Sequence, residues 1–219
     1  MNRPGLRRLA LTAALLLLPC AAWPAETSRF AIGDVTLEAP VANGFCVSDD
    51  RRLADRAAEN LSGMVAVLAM HVRCTDLEIH QAGGRPERMR LRFWGVALDN
   101  GQPMRAGPQT AFEMQALAAL IRRGSDREHR ALATGIQRSL NQGGMELRCI
   151  SMNAEEDILG GQLCLAEPEG RQVDLAAALR PVHGYLLVAV LLHLPGGGPF
   201  TPDFSQAAAM MTTLREVER

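Results

Sequence analysis

The chain has 219 residues, 47% of them apolar and 21% charged, with a formal net charge of −1. That is an ordinary globular composition, with length for one large core or two small ones. All 23 basic residues are arginine, which excludes Schiff-base lysines, phosphate-loop lysines and lysine general bases.

Residues 1–25 read as a secretory signal peptide. Arg3, Arg7 and Arg8 form a positive start, Leu9 to Leu18 an apolar run ending at Pro19, and Ala21, Ala22 and Ala25 offer cleavage sites. The run is shorter than the roughly 20 apolar residues a spanning helix needs. Arg7-Arg8 also fits a twin-arginine signal, although the leucine-rich run favours the general secretory route. Cys20 sits where a lipoprotein box places its cysteine, with Pro19 where such boxes want a small residue. Loss of the three leader arginines takes the net charge from −1 to −4. An acidic mature chain argues against general binding to nucleic acid or anionic lipid. No later segment is long and apolar enough to span a membrane. The expected product is one domain, residues 26–219, in the periplasm or the medium.

Along that domain, Val35-Thr36-Leu37-Glu38 predicts a strand stopped by Pro40, and Phe45-Cys46-Val47 a second. Asp49 is placed as the cap of a helix carrying Leu53, Ala57, Ala58 and Leu61 on one side, with Gly63 as its stop. Met64 to Cys74 reads as a buried strand, and Gly83-Gly84 as a turn. Met89, Leu91 and Phe93 then alternate with Arg88, Arg90 and Arg92, which predicts a strand with one core face and one row of arginines toward solvent. Pro103 to Pro108 is a loop. Ala111 to Arg122 is a helix with Met114, Leu117, Ala118 and Ile121 inward. Ser125-Asp126-Arg127-Glu128 is a capping box opening a second helix, with Leu132, Ala133, Ile136 and Leu140 on one side and Gly143-Gly144 at its end. Four strands follow in meander order at Met145–Met152, Gln162–Ala166, Arg171–Leu175 and Gly184–Leu194. The last is a nearly continuous apolar run, as expected of a central strand covered on both faces. Pro195 to Pro199 is a break. Thr201 with Pro202 starts a final helix whose stripe is Phe204, Ala207, Ala208, Met211 and Leu214. Strands interrupted by helices in this order predict an α+β fold, a mostly antiparallel sheet with helices packed on its faces.

Cys46, Cys74, Cys149 and Cys164 remain in the mature chain, an even count that reads as two disulfides in an oxidising compartment. Of three possible pairings, Cys46–Cys74 and Cys149–Cys164 keeps each bridge within one half of the chain. Closing a loop of about 15 residues removes denatured-state entropy worth roughly 3 kcal/mol. A zinc site using His71 and Cys74 is the sharper alternative, but two close cysteine pairs are missing. Strand alternation turns Cys164 away from a face holding Leu163 and Leu165, and a bulge near Gly160-Gly161 would restore the phase.

Val35-Thr36-Leu37-Glu38-Ala39-Pro40 followed by Gly44-Phe45-Cys46 resembles the start of exported bacterial domains with a PsbP-like fold. The apolar strand at Tyr185–Leu194, with its loop and terminal helix, is similar too. The family's namesake is an extrinsic subunit of photosystem II. The resemblance implies a binding or accessory role and brings no catalytic residues with it.

No catalytic constellation stands out. Asn60-Leu61-Ser62-Gly63 lacks the paired glycines of a nucleophile elbow. Glu128-His129 has no second histidine one turn on, and Glu155-Glu156-Asp157 is an acidic turn without the alternating ligands of a calcium loop. His71 and His80 fall at opposite ends of a hairpin, and His183 and His193 flank one strand. Arg88, Arg90 and Arg92, with Arg85 nearby, form the one cationic patch, suited to an acidic partner or an anionic envelope glycan. The function expected is a non-enzymatic periplasmic binding or accessory module whose partner is a protein or envelope component, with no nucleic acid, no metal and no cofactor. The alternatives are a periplasmic hydrolase whose residues meet only in three dimensions, and an envelope protein lipid-anchored at Cys20.

Overall fold

The computed structural model describes residues 26–59, 61, 63–142, 146–166, 172–194 and 202–217. The leader, Ser62, Gly143-Gly144, the Pro195–Pro199 break and Thr201 lie outside them. Within them the chain is an α+β fold of antiparallel sheets with helices on their faces.

A first hairpin joins β1 (Thr27–Ile32) to β2 (Val35–Pro40). β1 is not among the strands expected from the sequence, although Phe30 and Ile32 alternate with exposed Arg29 and Ala31 as an edge strand does. Gly33 turns the chain at φ 59°, a conformation that glycine adopts at little cost. Pro40 is the last residue of β2, opposite Thr27 at the outer end of the hairpin. A short β11 (Arg215–Val217) returns from the C-terminus to complete a small sheet, in the order β1-β2-β11.

The large sheet runs β3-β4-β5-β10-β9-β8-β7, with the short β6 (Gln102–Pro103) beside β5. β3 is Phe45–Val47, β4 Val65–Arg73 and β5 Met89–Asp99. Strands β7 (Glu146–Glu155), β8 (Ile158–Ala166), β9 (Gln172–Val182) and β10 (Tyr185–Leu194) form the meander, each strand beside the next. β9 is longer than the sequence suggested: Ala176 to Leu179 continue it, with Ala176 and Ala178 fully buried against β10. Small side chains there give no period that could be read alone.

Each face of the large sheet carries its own core. The first face holds Trp94, Val96, Leu187, Ala189 and Leu191. It is covered by the small sheet through Phe30, Ile32 and Leu37, and by α5 (Phe204–Thr212) through Phe204, Ala207 and Met211. The second face holds Leu91, Phe93, Val188, Val190 and Leu192. It is covered by α1 (Arg51–Glu59) through Leu53 and Ala57, by Leu77 of α2 (Cys74–Gln81), and by Ile136 of α4 (Asp126–Gln142). β10 contributes to both cores, which is why its sequence is apolar from Leu186 to Leu192.

Several local expectations shift. The first helix is capped by Asp50 rather than Asp49: its Oδ1 accepts the Arg52 N–H at 2.9 Å and its carbonyl accepts from Ala54. α5 is capped by Asp203, whose Oδ1 accepts the Ser205 N–H at 3.1 Å. The capping box forms: Glu128 accepts from the Ser125 N–H at 2.7 Å, and Ser125 Oγ accepts from the Glu128 N–H at 3.4 Å. α3 (Pro108–Arg123) and α4 are shallow. Ala118 is buried, Met114, Leu117 and Ile121 are half-buried, and Phe112 is 67% exposed.

Candidate functional site: a cationic sheet face

The disulfides join Cys46 to Cys74 and Cys149 to Cys164, with Cα atoms 5.0 and 4.9 Å apart. The first ties edge strand β3 to the start of α2, beside the second-face core. The second crosses neighbouring strands β7 and β8, where the two cysteines are register partners. Its phase is corrected in β7 rather than at Gly160-Gly161: the register shifts between Leu147 and Cys149, so Arg148 is the extra residue. Leu163 and Leu165 therefore stay on the second face while Cys164 turns to the first.

The same alternation places Arg90 and Arg92 on the first face, since Leu91 and Phe93 pack in the second-face core and Trp94 in the first. They are not a solvent row. β5 is interior to the sheet, and both arginines are half-buried, whereas Arg85 and Arg88 are exposed on the approach to the strand. The Arg92 guanidinium lies 4.4 Å from the centre of the Phe45 ring, a cation–π contact. Its Nε is buried without a hydrogen-bond partner among the described residues. Burial pulls the Arg92 pKa below the ordinary arginine value, yet a guanidinium remains charged.

The register supplies no carboxylate directly opposite Arg92. Arg92 faces His71 on β4 and Leu191 on β10, and Arg90 faces His193 on β10. Asp174 stands one strand beyond, opposite His193, and accepts from Gln172 at 2.9 Å. Asp76 of α2 accepts the Arg90 backbone N–H at 3.2 Å. Arg73, exposed and opposite Phe45, extends the cationic surface. It was missed because it ends the apolar run of β4 and carries no periodic signal of its own.

His71 lies within this face. It is fully buried, its Nε2 is 2.7 Å from Ser28 Oγ of β1, and its ring sits edge-on to Trp94 at 4.9 Å. Burial first, then the charge of Arg92, hold its pKa down to about 4. Nδ1 has no partner among the described residues. A Ser–His contact is the first half of a hydrolytic triad, but here Ser28 is 7% exposed and no carboxylate orients the far nitrogen. The pair holds β1 to β4.

His80 is not the far end of a hairpin. It lies on α2, and its Nε2 contacts Asp50 Oδ2 at 3.0 Å, tying α2 to the cap of α1. His129 Nε2 contacts the Leu120 carbonyl at 3.2 Å and so fastens α4 to α3. His183 sits in the β9–β10 turn, 3.3 Å from Glu216, apart from His193. Glu155-Glu156-Asp157 is an exposed turn in which Asp157 pairs with Arg180 at 2.8 Å. The described residues form no cluster of three or more metal-ligating side chains, and none of their helices is long and apolar enough to cross a membrane.

No family model matches the chain, and no curated protein matches it. Among solved structures it is similar to the solution structure of cyanobacterial PsbP (CyanoP) from Synechocystis sp. PCC 6803. The likeness covers 92% of this chain and 99% of that one, at 10% identity and a TM-score of 0.37. At this level of superposition no residue role is transferred.

Proposed function

We propose that the chain is an exported, non-enzymatic binding or accessory module that docks an acidic partner on its cationic sheet face. Residues 1–25 act as the leader and residues 26–219 as the working domain, in the periplasm or the medium. Arg85 and Arg88 steer the partner from the exposed approach to β5, and Arg90 and Arg92 receive its carboxylates or phosphates. The observation that carries the reading is Arg92. A guanidinium held on an aromatic ring in a sheet face, with no carboxylate opposite it, is costly to keep for stability alone. Its planar donors are well suited to an oxyanion. Two disulfides on opposite halves of the sheet keep such a face rigid in an oxidising compartment.

The test has two arms. Expression of the full chain in a Gram-negative host, followed by mass spectrometry of the purified product, reads the first residue; a start near Glu26 supports export, and a start at Met1 refutes it. Retention on immobilised polyglutamate at low salt reads the docking face. The wild type is retained and Arg88→Glu/Arg90→Glu flows through; equal retention of the two proteins refutes the face.

A further inference from the structure

The two bridges sit in unequal surroundings. Cys46 and Cys74 are both half-buried, and Cys46 packs against the second-face core. Cys149 is exposed and Cys164 half-buried. α4 covers the second face through Ile136, while Cys149 lies with its register partner Cys164 on the first. The strand pairing around the bridges differs as well. β7 and β8 pair on both sides of theirs, at residues 146–147 and 150–155. Opening that bridge removes a cross-link and leaves the ladder in place. β3 lays only the three residues Phe45–Val47 on β4, so Cys46–Cys74 is a larger part of what holds that edge. Exposed disulfides are the ones that exchange with external thiols, whereas structural ones resist reduction.

We propose that Cys149–Cys164 is an exchange site for the dithiol of a partner oxidoreductase, while Cys46–Cys74 is purely structural. The partner's thiolate attacks Cys149 Sγ, and the bond from Cys149 to Cys164 breaks. Cys164 leaves as a thiolate and takes a proton from water. The partner's second thiolate then attacks the partner sulfur of the mixed disulfide, and Cys149 leaves in turn. Cys149 and Cys164 end as two thiols, two electrons richer, and the dithiol ends as a disulfide. Cys149 is the sulfur attacked, first because it is the more exposed of the pair. Cys164 also stands opposite Asp174 on β9, a carboxylate that repels an incoming thiolate, whereas the exposed Arg148 precedes Cys149. Glu146 lies 3.9 Å from Arg148, a long ion pair with both side chains in water, and so offsets that charge only in part. What the exchange controls is a covalent tie. α3 and α4 pack on β7, and opening the bridge leaves β7 joined to β8 by their turn and their hydrogen bonds alone.

The probes are reduced glutathione and, in parallel, dithiothreitol, each added to the oxidised full chain without denaturant. Samples quenched in acid are alkylated and mapped by peptide mass spectrometry. Cys149–Cys164 is expected to open at least tenfold faster than Cys46–Cys74, with glutathione captured on Cys149 and the alkyl label on Cys164. Far-UV circular dichroism stays unchanged while the fast bridge opens, and amide hydrogen exchange in the dithiothreitol-treated protein rises in β7 but not in β4 or β5. Cys46→Ala/Cys74→Ala keeps the fast reaction; if that variant does not fold, the wild-type rates of the two bridges decide. Equal rates, earlier opening of Cys46–Cys74, glutathione on Cys164, unchanged hydrogen exchange in β7, or an opening rate that rises with urea in step with global unfolding overturns the proposal.

Discussion

Ser28 Oγ and His71 Nε2 lie 2.7 Å apart across 43 residues of sequence, joining the small sheet to the large one in a site where Ser28 is 7% exposed and His71 fully buried. The contact sits beside the apolar seam made by Phe30 and Trp94, whose rings stack at 6.1 Å. It makes the docking of β1 depend on a neutral imidazole, because Arg92 already supplies one charge to the same face.

That dependence predicts an acid response. The His71 pKa falls from 6.5 to about 4 on folding, so the unfolded chain takes up the proton first as pH drops. The stability at stake is fully present above pH 6.5 and is lost as pH falls from there toward 4, by about 3 kcal/mol in all. Asp50, Glu128 and Asp203, whose hydrogen-bonded carboxyls are held below their ordinary values, lose their contribution lower on the scale. Urea midpoints at pH 7, 5.5 and 4 check this. The wild type declines across the range, and His71→Phe, although weaker at pH 7, declines less between 7 and 5.5.

Gly160 is a packing position rather than a turn. A Cβ there would meet the Ala177 carbonyl oxygen on the neighbouring strand and the Phe204 ring at 2.8 Å. Gly160→Ala is expected to cost about 1–3 kcal/mol, because backbone on one side and a core ring on the other leave no room to yield. Chemical denaturation measures it. Gly44→Ala gives a useful contrast, since its Cβ meets nothing within 4 Å and only its φ of 78° resists the change.

The bridges differ in the loop they close. Cys46–Cys74 spans 28 residues and Cys149–Cys164 spans 15. By chain entropy each stabilises by roughly 3 kcal/mol or slightly more, and the longer loop by about 0.5 kcal/mol more than the shorter. Paired Cys→Ala variants, compared by urea denaturation without reductant, are expected to fall in that order.

Much of the fold could be read from side-chain period. Strand β5 declared itself through Met89, Leu91 and Phe93 against three arginines, and the helix pair through the Ser125–Glu128 box. What period cannot give is what covers the second face of a strand. The arginine row of β5 looked like a solvent face because the sequence alternates, yet β4 and β10 flank it and Phe45 lies over Arg92. α2 escaped notice because Cys74 to Gln81 carries almost no apolar stripe; Leu77 is its one buried hydrophobic side chain. β11 has only three residues with one apolar side chain, and β1, as long as β2, has the polar Ser28 on its buried face beside Phe30 and Ile32. Ser28 and His71 were separate polar residues in the sequence, and only the docking of the small sheet brings them together.

Arg92 separates stability from binding. Replacing a half-buried guanidinium with an apolar chain of similar length relieves the orphaned Nε and keeps contact with Phe45. Arg92→Met is therefore expected to unfold at the same temperature as the wild type or higher, while losing an anchor for an oxyanion. The measurement that bears most directly on the cationic face is fluorescence anisotropy of labelled polyglutamate, titrated with wild type and with Arg92→Met at 50 and 200 mM salt, alongside a melt of each protein. The account predicts binding by the wild type that weakens with salt, at least fivefold weaker binding by Arg92→Met at low salt, and no loss of thermal stability. Equal affinity for the two proteins, or salt-independent binding, would contradict it.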